Sequence, residues 1–183
     1  MRAGLLGRLR DTRFSVIRRL SLVAVGVSIG AFQLCGLLGL RINTSPSLPI
    51  GLYITTESDA NLVEFCPAEP FATLAIVRGY RDSGICPDGA APLLKPVVAK
   101  PGDVVELSAR GISVNGALLA NTAPLSKDGK GRPLKPWPFG RYVVASGTVW
   151  VASSYHPRSF DSRYFGPIST AAIREWLKGL LTL

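Results

Sequence analysis

Histidine is nearly missing: the only one in 183 residues is His156. A Ser/His/Asp triad could therefore take one form, Ser47 with His156 and Asp161, and His156 sits in Ser154-Tyr155-His156-Pro157, which reads as a loop. The three cysteines, Cys35, Cys66 and Cys86, include no CxxC pair, so their spacing matches no zinc motif and no metal is expected. No organic cofactor is implied. Acidic residues are scarce, 12 Asp and Glu against 21 Lys and Arg, for a formal net charge of +9. The exposed part of the chain nevertheless lacks a basic stripe interleaved with aromatics, which argues against a nucleic-acid partner. Internal repeats and low-complexity tracts are absent, and the length suits one domain with a short appendage.

Charge is wholly absent from Leu20 to Leu40. As a helix rising ~1.5 Å per residue, that span would reach about 30 Å, the thickness of a bilayer's hydrocarbon core. A cleaved leader usually has an apolar region of only ~7–15 residues and an A-x-A-like site. Neither feature fits, so an uncleaved anchor is expected. Gly26, Gly30, Gly36 and Gly39 would weaken a soluble helix but are tolerated in lipid. Arg2, Arg8, Arg10, Arg13, Arg18 and Arg19 precede the span with only Asp11 against them, which puts the N-terminus in the cytoplasm. The expected organisation is a cytoplasmic basic tail over 1–19, a single transmembrane anchor over 20–40 in the inner membrane, and an extracytoplasmic, periplasmic domain over 41–183. Cys35 reads as a small apolar filler within the span; the preceding Phe32-Gln33-Leu34 lacks the small residues of a lipoprotein site. Cys66 and Cys86 would face an oxidising compartment, either as buried thiols or as a disulfide contributing ~3 kcal/mol.

Beyond the span the pattern is mostly β. Apolar runs of strand length cover 52–55, 74–77, 93–99 and 104–107. Residues 111–119 place Asn115-Gly116 between apolar runs, a hairpin signal. Residues 142–144 and 149–151 suggest a second hairpin across Ser146-Gly147, and 122–140, rich in Pro, Gly and Lys, reads as an exposed loop. Near the end, Ile173, Trp176, Leu177, Leu180 and Leu181 recur at helical spacing, which predicts a helix within 170–183. Closely spaced strands with turn signals argue for a mainly β domain.

Two segments carry the chemistry. Asn43-Thr44-Ser45-Pro46-Ser47-Leu48-Pro49-Ile50-Gly51 holds Ser47 between two prolines, which restrict the backbone on both sides. Leu94-Lys95-Pro96-Val97-Val98-Ala99-Lys100-Pro101-Gly102-Asp103 holds Lys95 in an apolar run. A serine becomes a nucleophile when a neutral base takes its proton, and a desolvated lysine can be that base. Lysine ordinarily titrates near ~10.4, and burial lowers that value by disfavouring the cation. Pro96 also biases Lys95 toward an extended backbone. Lys100, against the Pro-Gly turn, is the rival base and is expected to be exposed. Taken singly, Ser47 is a loop serine and Lys95 a strand-end lysine reaching for water.

Together with Ser159-Phe160-Asp161-Ser162-Arg163-Tyr164-Phe165-Gly166, these segments resemble the Ser/Lys signal peptidase family, and most closely its TraF-type branch, which shares the Ser-x-Pro-x-Gly of Ser47–Gly51. The resemblance runs from the apolar span to Gly166. It implies a fold of coiled antiparallel sheets with a smaller appended sheet region, behind one N-terminal transmembrane helix. It also implies a serine endopeptidase with Ser47 as nucleophile and Lys95 as general base. Ser45 matches the hydroxyl that supplies the second oxyanion donor beside the Ser47 amide, and Ser159 matches the serine that orients the lysine. Asp161 and Arg163 match an acidic–basic pair near the site, whose simpler reading is a structural ion pair holding the last strand. Cysteines near Cys66 and Cys86 recur in the branch, favouring the disulfide. The implied substrate is a prepilin, cleaved or cyclised, with other components of the conjugation system as further partners. A general signal peptidase acting on many secreted preproteins and an inactive membrane scaffold are the alternatives.

Overall fold

The computed structural model describes residues 18, 20–30, 33, 36, 38–57 and 60–182. It divides into two units, Met1–Arg41 and Ile42–Leu183. In the first, residues 20–30 are helical and exposed. Among the described residues no helix is long and apolar enough to cross a membrane. The expected basic tail, apart from Arg18, and the filler Cys35 lie outside the described residues.

The rest is mainly antiparallel β. Strands β1 (Leu40–Asn43), β2 (Gly51–Thr56), β3 (Leu62–Phe65), β4 (Leu93–Ala99), β9 (Thr148–Val151), β10 (Ile168–Ser169) and β11 (Ile173–Thr182) form a seven-stranded sheet in the order β1-β2-β11-β3-β4-β9-β10. A four-stranded sheet orders β7 (Ala117–Leu118), β6 (Gly111–Val114), β5 (Val104–Ser108) and β8 (Gly140–Val143). The strands expected at 52–55, 93–99 and 104–107 are present. So is the Asn-Gly hairpin: Asn115 and Gly116 take φ of 50° and 88°, the positive values a two-residue turn of this kind requires.

Three expectations fail. Residues 74–77 belong to a helix, α1 (Phe71–Val77), not a strand. A run of four apolar residues does not distinguish the two, and here Ala72 and Ala75 present one small buried face to the core. Gly79 ends the helix at φ 67°, with its own amide bonded to Ile76 and that of Tyr80 to Ala75, a Schellman closure. The hairpin across Ser146-Gly147 does not form, because β8 pairs with β5 in the small sheet while β9 pairs with β4 and β10 in the large one. The C-terminal stripe is a ten-residue strand, not a helix. β11 runs antiparallel to both β2 and β3, and Leu177 at its centre is fully buried while Leu180 and Leu181 are exposed.

Three apolar clusters hold these layers. The first joins Val63, Phe65, Leu93, Val151, Phe160 and Phe165 with Ala75 of α1. The second packs Trp150 against Val105, Leu107 and Ile112 between the sheets. The third, Leu48, Tyr53 and Leu177, lies directly under the loop after β1. Cys66 and Cys86 are bridged, tying the end of β3 to the loop after α1.

Candidate active site

Alternate residues of a regular strand share a face, so Leu93, Lys95 and Val97 of β4 point the same way. Leu93 is in the first apolar cluster and Val97 packs against it, while Val63, wholly buried, faces Lys95 across the ladder to β3. Lys95 is therefore only 5% exposed. Burial is the main reason its amine titrates far below the usual lysine value, at about 8; Asp161 pulls the value up and Arg163 pushes it down. Among the described residues nothing forms a hydrogen bond or ion pair with that amine. Lys100, just past the end of β4, is exposed, as expected.

Ser47 is held in place by its loop. Asn43 caps the turn, accepting the Ser45 amide at 3.2 Å and donating through Nδ2 to the carbonyls of Ser45, Leu48 and Pro49 at 3.0, 3.3 and 3.1 Å. The Tyr53 hydroxyl donates to the Pro49 carbonyl at 2.6 Å. From the far side the Ser153 hydroxyl donates to the carbonyl of Ser47 itself. Leu48 turns into the third apolar cluster. Ser47 is 7% exposed. Its Oγ lies 2.9 Å from Ser45 Oγ, and its amide donates to that same oxygen at 3.3 Å.

One cleft of about 220 Å³ is lined by Ser45, Ser47, Lys95 and Ser159, with Leu93, Leu125, Leu134, Phe160, Tyr80 and Tyr164 as apolar walls. Four of the residues singled out in the sequence thus meet at one place. Among the described residues Ser159 Oγ has no hydrogen-bond partner, a buried donor or acceptor left open in the cleft that Lys95 also lines. Asp161 and Arg163 lie behind the cleft, not in it. They form a wholly buried bidentate pair, Nε to Oδ1 at 2.8 Å and Nη2 to Oδ2 at 2.7 Å. Rather than holding the last strand, Asp161 caps the short helix α2 (Ser162–Phe165), accepting the Arg163 amide. Arg163 also donates to the carbonyls of Asn121, Pro157 and Ser159, so it pins two loops together. His156 lines the cleft on a loop, its Nδ1 accepting the Arg158 amide at 3.2 Å. Among the described residues no group of His, Cys, Asp or Glu could hold a metal ion.

The stretch read as an exposed loop, 122–140, forms one wall of the cleft. Asp128 organises it, accepting from the Tyr80 hydroxyl at 2.6 Å, from Arg132 Nε at 2.7 Å and from the amides of Lys130 and Arg132, each at 2.9 Å. Asn43, Ser153 and Asp128 were not singled out from the sequence. Asn43 had a local signal, an Asx turn written as Asn-Thr-Ser. Ser153 had none, since its partner is 106 residues away.

A mainly antiparallel β domain that brings a loop serine and a buried lysine to one cleft defines a class, and comparison places the chain within it. The family model for signal peptidase, peptidase S26, matches residues 14–176, and the chain belongs to that family. Its relatives include the "Probable conjugal transfer protein TraF" of Sinorhizobium fredii, 39% identical over 163 residues, covering 85% of this chain and 84% of that protein. A "Plasmid transfer protein TraF" of Escherichia coli is 36% identical over 148 residues, covering 79% and 83%. These relatives bear out the TraF-type resemblance read from Ser47–Gly51. A solved signal peptidase I of Enterococcus faecalis V583 aligns over 70% of this chain and 99% of its own, with 19% identity and a TM-score of 0.36.

Proposed function

We propose that the chain is a membrane-anchored Ser/Lys endopeptidase that matures the pilin subunit of a conjugative transfer apparatus. The observation that carries this reading is the Lys95 amine, buried at the cleft that Ser47 also lines and titrating at about 8. Neutral Lys95 takes the Ser47 hydroxyl proton as Oγ attacks the scissile carbonyl. The tetrahedral oxyanion is met by the Ser47 amide and the Ser45 hydroxyl. Collapse expels the leaving amine, which receives the proton from Lys95, and leaves an acyl-enzyme on Ser47. Water resolves it to a carboxylate, or a second amino group resolves it to a new amide. Ser159 orients the Lys95 amine through its open hydroxyl. The substrate lies extended in the cleft, and apolar walls of this size favour small residues before the cleaved bond.

The conjugative assignment is supported by relatives named for plasmid and conjugal transfer. The uncharged stretch from Leu20 to Leu40 and the arginines before it support an inner-membrane anchor with the catalytic domain in the periplasm. The test is mass spectrometry of the candidate prepilin incubated with membranes carrying the wild-type chain, Ser47→Ala or Lys95→Ala. Processing by the wild type alone supports the reading. Processing at the wild-type rate by either variant removes the dyad.

A further inference from the structure

Asp161 does not line the cleft, yet it is linked to Ser47 through one residue, Ser153, which hydrogen-bonds to both. Its Oδ2 accepts the backbone amide of Ser153 at 3.1 Å. The Ser153 hydroxyl donates to the carbonyl oxygen of Ser47 and accepts the Tyr155 amide at 3.1 Å. Asp161, Arg163 and Ser153 are all fully buried. Among the described residues no other donor reaches the Ser47 carbonyl.

We propose that Ser153 is a positioning residue for the reaction at Ser47, and that Asp161 bears on Ser47 through Ser153. The inference rests on Ser47 being the nucleophile. Fixing the Ser47 carbonyl toward the interior sets the plane of the peptide that follows the nucleophile. With Asn43 holding the loop on its other side, this leaves the Ser47 amide and Oγ to the cleft. Removing the Ser153 hydroxyl leaves a buried carbonyl without a donor, and the 46–49 segment turns to find one. A shift on the order of 1 Å at a reacting atom can cost ~100-fold in rate. Asp161, by contrast, touches no atom that a substrate could meet. Its contribution at Ser47 is to hold the Ser153 backbone where the hydroxyl reaches the Ser47 carbonyl. The Arg163 guanidinium, bonded to both Asp161 oxygens, holds that carboxylate in place.

The experiment is burst kinetics of the full chain in detergent with p-nitrophenyl acetate, a small ester that reports acylation without a peptide subsite. Ser153→Ala is expected to slow the burst about 30-fold while its midpoint on the pH axis stays with the wild type, since Lys95 is untouched. Ser153→Cys, nearly isosteric and a weak donor, should recover part of the loss and stands in should the alanine variant fail to fold. Asp161→Asn should slow the burst similarly, and Ser153→Ala/Asp161→Asn should be no slower than Asp161→Asn alone. A wild-type burst from Ser153→Ala, or a double variant whose losses multiply, overturns the inference. Ser47→Ala separates the two readings. If it still shows a burst, the nucleophile assignment falls and the inference with it. If it is silent while Ser153→Ala is fully active, only the positioning role falls.

Discussion

The hydroxyl of Ser45 lies 2.9 Å from that of Ser47 and receives the Ser47 amide at 3.3 Å. Both groups proposed to stabilise the oxyanion are thus turned toward each other. A substrate oxyanion is a stronger acceptor than a neutral hydroxyl, so it would draw the Ser47 amide and the Ser45 proton to itself. Ser45→Ala is expected to lower kcat about 100-fold, the usual cost of one lost oxyanion donor, with KM for a peptide nearly unchanged. A loss under about threefold would reduce Ser45 to a local staple of the loop.

The depressed value of Lys95 makes two linked predictions. Activity of the free enzyme should rise with pH and level off above about 8, as the amine loses its proton. Stability should follow with a defined sign. The unfolded lysine titrates near 10.5 and the folded one near 8, so between these values the unfolded chain holds more protons and stability rises with pH. Below about 8 the folded state carries the whole cost of a buried cation, about 3 kcal/mol for a shift of this size. Lys95→Met should therefore be the more stable protein at pH 7, with the gap closing by pH 10.5. Denaturant titrations at the two pH values measure this; a gap independent of pH would mean the amine is not buried in solution.

Asp128 holds the wall formed by 122–140. Its carboxyl loses some charge preference to burial, but hydrogen bonds from Tyr80, Arg132 and Lys130 outweigh that and keep it well below the ordinary carboxylate range. The contribution is present at neutral pH and is lost only as pH falls below the ordinary carboxylate value toward the folded one. Asp128→Asn should make Lys127, Lys130 and Arg132 sensitive to trypsin and raise KM for a peptide several-fold, while leaving the ester burst unchanged. Limited proteolysis and the two substrates compared side by side decide this.

The Cys66–Cys86 bridge spans 20 residues of sequence. A loop of that length constrains the unfolded chain by about 3 kcal/mol. The Cys66→Ser/Cys86→Ser variant should lose stability of that order and keep its ester burst, because neither cysteine lines the cleft. Equal thermal midpoints for the variant and the oxidised wild type would show that the bridge contributes nothing.

Much of the site could be read from the amino acids alone. Lys95 declares itself because an apolar run with Pro96 forces an extended, dry environment on a cation, and β4 covers the residues expected of it. Ser47 declares itself through the prolines on either side, and Asn115-Gly116 through a backbone conformation that few residues tolerate. These are local effects, decided within a few residues. What needed the tertiary structure is everything that depends on partners distant in sequence. The 173–182 stretch has helical spacing, yet hydrogen bonds to β2 on one side and β3 on the other make it a strand, since an unpaired gap between them would strand both ladders. Residues 142–151 look like a hairpin, but their two halves find better partners in different sheets. Asp161 and Ser153 acquire their relation to Ser47 only when the fold closes across 106 residues. Periodicity and turn chemistry report what a segment prefers by itself; which donor meets which buried acceptor is settled by packing.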